Sequence, residues 1–200
     1  MVSKKESRAA TRRGLLDAGY AVFVERGFER ATIEEIAARA GFTRGAFYWN
    51  FNSKTELLLE VIRDRVAQRG EESDGIAASA SGPDDFNEVQ RTRSRRRSRE
   101  RRDWAIFMLD FWLLASRDQE LRNAAATLKA EQRRRMARQL TDLADRGDVT
   151  LPAPVEKIAS WMMALQDGLA LQELLDPASI GGNSIYEALA LLIRLLTTSP

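Results

Sequence analysis

Arg44, Gly45, Tyr48, Trp49 and Asn50 fall within one short stretch, interleaved with Phe47 and Phe51, which lie four apart and face inward on a helix. A guanidinium grips guanine with two hydrogen bonds in a major groove, so Arg44 is the candidate for a base edge. A phosphate contact without sequence information is the equal alternative for it. The Tyr48 hydroxyl suits a phosphate. Trp49 suits a sugar or a thymine methyl, or else covers its own core. Asn50 is left on the groove side, and Gly45 lets the helix backbone come close to DNA. Thr32 and Thr43 mark helix starts, whose N–H groups attract phosphate, and Lys54 adds a cation. Catalysis has little to work with. The chain holds no histidine and no cysteine, which excludes a histidine triad, thiol chemistry and thiolate or imidazole zinc sites. No paired carboxylates stand at fixed spacing in the apolar stretches, where Asp110 and Asp167 are isolated; Asp110 is instead a candidate polar anchor in a ligand cavity. The expectation is no catalytic residue, no metal and no cofactor.

The elements that must position these side chains follow from local signals. Thr32 with Glu35 makes a capping box, and Ile33, Ile36, Ala37 and Ala40 recur at helical spacing. Gly41 stops that helix and turns with a positive φ. Thr43 caps the next, Arg44 to Phe51, and Ser53 with Glu56 opens a further one. Two short helices about a turn of roughly three to four residues form a helix-turn-helix, whose second helix lies in the major groove. Ahead of them, Arg8 to Arg26 is a supporting helix with Leu15, Leu16, Gly19, Val22 and Phe23 inside. Gly27 stops it and Phe28 packs back against Ile33 and Ile36.

Leu15 to Leu57 resembles the DNA-binding domain of the TetR/AcrR family of bacterial transcriptional regulators. The resemblance rests on Leu15, Leu16, Ala18, Phe23, Gly27, Phe28, Thr32, Ile33, Ile36, Ala37, Ala40, Gly41, Thr43, Gly45, Tyr48, Phe51, Lys54 and Leu57. Asn50 departs from it, since many members carry histidine there. The resemblance implies that the helix from Lys54 to about Gln68, with Leu57, Leu58, Val61, Ile62 and Val66 at period 3.6, carries ligand signals to the DNA-binding heads. It also implies that the last two helices of each subunit join in a four-helix bundle.

Composition sets the bounds. The chain has 200 residues, 44% hydrophobic and 30% charged, enough for a core and for solubility. No run of about 18 apolar residues predicts a membrane span, and the basic N-terminus lacks an apolar signal core, so the cytoplasm of a bacterium is expected. Residues 1–54 carry ten Lys/Arg against six Asp/Glu, and residues 147–200 carry two against six, which places a polyanion at the N-terminal end only. Residues 1–7 read as a disordered basic arm. The alternative is an arm reaching phosphate or the minor groove through Lys4, Lys5, Arg8, Arg12 and Arg13. Residues 70–85 read as a mobile connection. In residues 91–102 eight arginines accompany one acid, Glu100; this is a solvated face, or else a backup phosphate contact or an anion-binding rim.

Beyond it, Trp104, Phe107, Met108, Phe111, Trp112 and Ala115 form an aromatic helical stripe. It is either core or, with Met163 and Gln166, the wall of an apolar ligand pocket. Asp118 caps a long helix from Gln119 to about Arg146. Pro154 to Leu175 is another, with Ile158, Trp161, Met162, Leu165 and Leu169 on one face. Ser184 to Thr197 is the last, with Ile185, Leu189, Leu192, Ile193 and Leu196. These two faces are the expected homodimer interface, because the final helix is too leucine-rich to be covered on one side only. The sequence thus predicts an all-α protein of about nine helices: a helix-turn-helix domain over 1–54 and a helical ligand-binding and dimerisation domain over 55–200. Its expected partners are a palindromic double-stranded DNA operator, an unidentified small apolar effector that releases it, and a second copy. A regulator without effector and an enzyme on a helical scaffold are the alternatives.

Overall fold

The computed structural model describes residues 4–81, 98–146 and 150–178, together with 85, 88, 89, 92, 180, 184, 187, 188 and 191. Every regular element among them is helical: α1 (Lys4–Arg26), α2 (Ile33–Arg39), α3 (Arg44–Tyr48), α4 (Lys54–Ser79), α5 (Ser98–Arg117), α6 (Gln119–Arg146) and α7 (Val155–Leu175). Seven helices are described against about nine expected. Most of residues 82–97 and 181–200, where the others were expected, lie outside the described residues, among them Ile185, Leu189, Leu192, Ile193 and Leu196. Among the described residues no helix is long and apolar enough to cross a membrane.

The chain divides into two compact units, Met1–Gln68 with Ile106–Ala124, and Arg69–Ala105 with Ala125–Pro200. In the first, Leu15, Phe23, Ile36, Phe47, Phe51, Leu57 and Ile62 are fully buried. Phe107 of α5 joins this core, its ring edge-on to Tyr20 at 5.2 Å and stacked on Phe23 at 6.3 Å. In the second, Ile158, Ala159 and Met162 of α7 pack on Ala137 and Leu140 of α6, with Leu165 and Leu169 against them. Two ion pairs brace this packing, Arg101–Glu173 at 2.7 Å and Lys129–Asp167 at 2.6 Å.

The structure corrects three boundaries, the first being the end of α3, which stops at Tyr48 and not at the expected Phe51. Helix α1 begins at Lys4, so residues 4–7, expected to be disordered, are helical. Helix α4 runs on to Ser79 through the stretch expected to be a connection. The reason is tertiary: Ile76, Ala77 and Ala80 are buried, and the Arg146 guanidinium donates to the carbonyls of Ala77, Ala78 and Ala80 at 2.6, 3.3 and 2.7 Å. Burial and a capping cation outweigh the unfavourable glycines at 70 and 75.

Candidate nucleic-acid interface

The helix-turn-helix hangs on the loop that follows α1. Gly27 takes φ 74° there, and Phe28 packs on Phe23 with ring centroids 5.7 Å apart. Two helices grip this loop from opposite sides of its hydrogen-bonding groups. The Phe28 N–H donates to Asp110 Oδ2 of α5 at 2.7 Å. Lys54, at the start of α4, donates from Nζ to the carbonyls of Phe28, Glu29 and Ala31 at 2.7, 3.2 and 2.8 Å, and its ammonium sits 4.5 Å from the Phe28 ring centroid. An ammonium has three hydrogens, so the loop takes all of them. In this conformation Lys54 is a structural cation, not the phosphate contact expected from sequence. Asp110 anchors the loop.

Beyond the loop, Thr32 caps α2 in a complete capping box with Glu35. Gly41 turns the chain at φ 75°, and the Thr43 hydroxyl accepts from the Ala46 N–H at 3.2 Å to start α3. Helix α3 has five residues, too short to stand alone, so its neighbours hold it in place. Phe47 and Phe51 are its buried anchors. On the opposite side Trp49 is 81% exposed and Tyr48 46%, with Arg44 exposed beside them. Arg44 pairs with Glu34 of α2 at 2.8 Å and donates to the Tyr48 hydroxyl at 3.4 Å. That hydrogen bond, and then the Glu34 carboxylate, raise the Arg44 pKa further above its ordinary value, so the group is a fixed cation.

Asn50 behaves differently from its groove-side expectation. Its Nδ2 donates back to the Ala46 carbonyl at 2.8 Å, and its Oδ1 is buried without a hydrogen-bond partner. Sequence reasoning missed Glu34 at this surface. Nor did it reveal that Arg8 and Arg12 of α1 donate to the carbonyls of Trp49 and Asn50, at 3.3 and 3.1 Å. Their spacing of four residues, one helical turn, was the available signal. Arg13 is likewise paired, with Asp17 and with Asp64 at 2.7 Å.

The remaining expected sites fall in both units. Phe107, Met108, Phe111 and Trp112 belong to the first unit; Trp104, Met163 and Gln166 belong to the second. Phe107 and Phe111 are buried, and the Phe107 ring is occupied with Tyr20 and Phe23. Trp104 lies under the Arg69 guanidinium at 4.8 Å, and Gln166 is exposed. On α7 the face expected to meet a second copy is split. Ile158 and Met162 are buried in their own unit, Leu165 and Leu169 are half-buried, and Trp161 is 53% exposed.

This geometry has relatives. Residues 15–61 match the family of bacterial regulatory proteins, tetR family. Residues 84–197, more than half of the chain, match the C-terminal domain of BetI-type transcriptional repressors. The chain belongs to the TetR/AcrR family. As a member it is a transcriptional regulator and not an enzyme. The regulator SrpR of Pseudomonas putida is 49% identical over 55 residues, which are 28% of this chain and only 26% of that protein. The repressor AcnR of Corynebacterium efficiens is 27% identical over 178 residues, 87% of each chain. Among solved structures, a SmeT–triclosan complex superposes with a TM-score of 0.72 at 27% identity, over 93% of this chain and 90% of that one. The likeness to SrpR covers 55 residues, whereas those to AcnR and SmeT extend over most of the chain.

Proposed function

We propose that this protein is a homodimeric repressor of the bacterial cytoplasm that binds a palindromic operator through α3 and is released by a small, largely apolar molecule. Residues 1–54 take the DNA, and residues 55–200 take the effector and the second copy. The observation that carries the reading is the outer side of α3: an indole four-fifths exposed, next to a guanidinium and a phenol, on a helix otherwise held by two buried phenylalanines. An exposed tryptophan costs solvation and is suited to a groove wall or a thymine methyl. In this role Arg44 reads a base edge, Tyr48 and Thr43 hold phosphate, and Trp49 packs on sugar or methyl. Gly45 allows the approach, Thr32 sets the helix before it, Lys54 holds the loop that leads into α2, and Asn50 closes the end of α3.

Self-association is assigned to the outer side of α7. Trp161, Ala164, Gly168, Leu171 and Leu175 recur at helical spacing and are all exposed, Leu175 to 74%. Gly168 has nothing within 4 Å of where a Cβ would stand, so a partner helix has room to approach. The triclosan complex of SmeT supports an apolar effector. The competing reading, a regulator without effector, draws support from Phe107, whose ring is spent on Tyr20 and Phe23. A thermal-shift screen of apolar compounds separates the two, because a ligand of the folded state raises its melting temperature.

The test of DNA binding is fluorescence anisotropy on the protein's own upstream DNA and on scrambled DNA, over a series of salt concentrations. Binding orders of magnitude tighter to the native segment, with two subunits per site and a steep salt slope, supports the proposal. Equal and weak binding to both removes it.

A further inference from the structure

We infer that Arg12 is a positioning residue that sets the pose of the recognition helix, and that it does not itself contact DNA. The inference rests on the reading of α3 as the DNA-binding helix. It begins with an accounting of the end of α3. The helix is five residues long, so its carbonyls depend on the residues just beyond it and on side chains. The Ala46 carbonyl takes the Asn50 Nδ2 hydrogen, and the Phe47 carbonyl accepts from the Asn50 and Phe51 N–H groups. The Trp49 and Asn50 carbonyls, one on either side of the peptide that leads away from the exposed indole, accept from Arg8 and Arg12.

Arg12 does more than this single bond. Its other terminal nitrogen pairs with Glu60 of α4 at 2.5 Å, and its guanidinium carbon lies over the Phe51 ring, 4.5 Å from the centroid. One planar group thus links three helices: α1, which carries it; the end of α3, through a carbonyl and a ring; and α4, through a carboxylate. Phe47 and Phe51 fix the depth of α3 in the domain, but buried rings leave rotation about the helix axis less constrained than directional hydrogen bonds do. The guanidinium fork supplies the direction. A lysine cannot reproduce it, because one ammonium does not present two separate donor nitrogens, one to the Asn50 carbonyl and one to the Glu60 carboxylate, with a delocalised cation between them at the Phe51 ring. Glu60 pairs with both Arg12 and Arg63, which leaves one net positive charge on the three; what withholds Arg12 from phosphate is its engagement with the Asn50 carbonyl, the Glu60 carboxylate and the Phe51 ring.

The test is Arg12→Gln and Arg12→Lys in the full-length protein, measured by anisotropy on operator and scrambled duplexes across salt. Wild type is measured first. If it does not discriminate operator from scrambled DNA, the reading of α3 fails and the inference falls with it. Given discrimination, Arg12→Gln is expected to lose roughly 10- to 100-fold on the operator, the loss that follows from one charged hydrogen bond. Binding to scrambled DNA and the salt slope should stay as in wild type. Arg12→Lys should also lose operator affinity although it keeps the charge. A phosphate contact gives the reverse pattern: Arg12→Gln weakens binding to both DNAs alike and lowers the salt slope by about one, and Arg12→Lys is nearly silent. That pattern, or operator binding by Arg12→Gln equal to wild type, overturns the inference while leaving the role of α3 intact. Thermal denaturation of both variants accompanies the assay. Because a folded fraction scales both DNAs together, partial unfolding cannot imitate a loss confined to the operator.

Discussion

Replacing Asp110 by alanine tests how the DNA-binding unit is held together. Asp110 Oδ2 accepts the Phe28 N–H at 2.7 Å from 82 residues away in the chain, and both residues are half-buried. A hydrogen bond to a charged group contributes about 1.5–3 kcal/mol net, and its loss leaves the Phe28 N–H without a partner. Partial exposure argues for the lower end, about 1.5–2 kcal/mol. For chains of this size each kcal/mol moves the melting temperature by about 2–4 °C, so Asp110→Ala should melt roughly 3–8 °C below wild type. Both must be measured at equal protein concentration, since self-association also shifts melting. Asp110→Asn keeps an acceptor oxygen of nearly the same shape and should recover at least half of the loss. Circular dichroism on heating is sufficient for the assay. Melting of Asp110→Ala within about 1 °C of wild type would refute the reasoning, since it would mean the bond contributes far below that range.

Other substitutions separate roles that share a surface. Lys54→Met removes the donor to three carbonyls and should cost about 1–3 kcal/mol in chemical denaturation while leaving the salt slope of DNA binding unchanged. Thr43→Ala should cost about 1 kcal/mol through the lost cap of α3, read by the same denaturation, and should weaken operator binding further. Glu34→Gln removes a carboxylate from the candidate DNA surface and frees Arg44; anisotropy at low salt should show tighter binding to scrambled DNA and a smaller ratio of specific to nonspecific affinity. Trp161→Asp should convert dimer to monomer in sedimentation velocity with little effect on helicity. Ile158→Ala, in contrast, should cost roughly 2–5 kcal/mol of stability through a core cavity.

Local chemistry was legible in the sequence, and distant chemistry was not. The caps at Thr32, Thr43 and Asp118, the helix stop at Gly27, the positive-φ turn at Gly41, and the span of α6 from Gln119 to Arg146 each depend on residues within one or two turns. The partners of Lys54 are carbonyls of residues 28, 29 and 31, and the partner of Asp110 is a backbone N–H; neither has a side-chain signature. Residues 70–79 carried glycines and serines that suggest a turn. What keeps them helical is Arg146, more than 60 residues away, at their carbonyls. On α7, periodicity identified an apolar face but could not divide it, and only packing on Ala137 and Leu140 separates Ile158 and Met162 from exposed Trp161.

The most direct measurement is selection of bound duplexes from randomised DNA, carried out in parallel with wild type, Arg44→Ala and Trp49→Ala. A two-fold symmetric motif should emerge for wild type, with half-sites a whole number of helical turns apart. Arg44→Ala should lose a guanine preference at one position of each half-site, and Trp49→Ala should lose a thymine preference. If wild type enriches no motif, or if all three proteins enrich the same one, then α3 does not read DNA and the account is wrong at its centre.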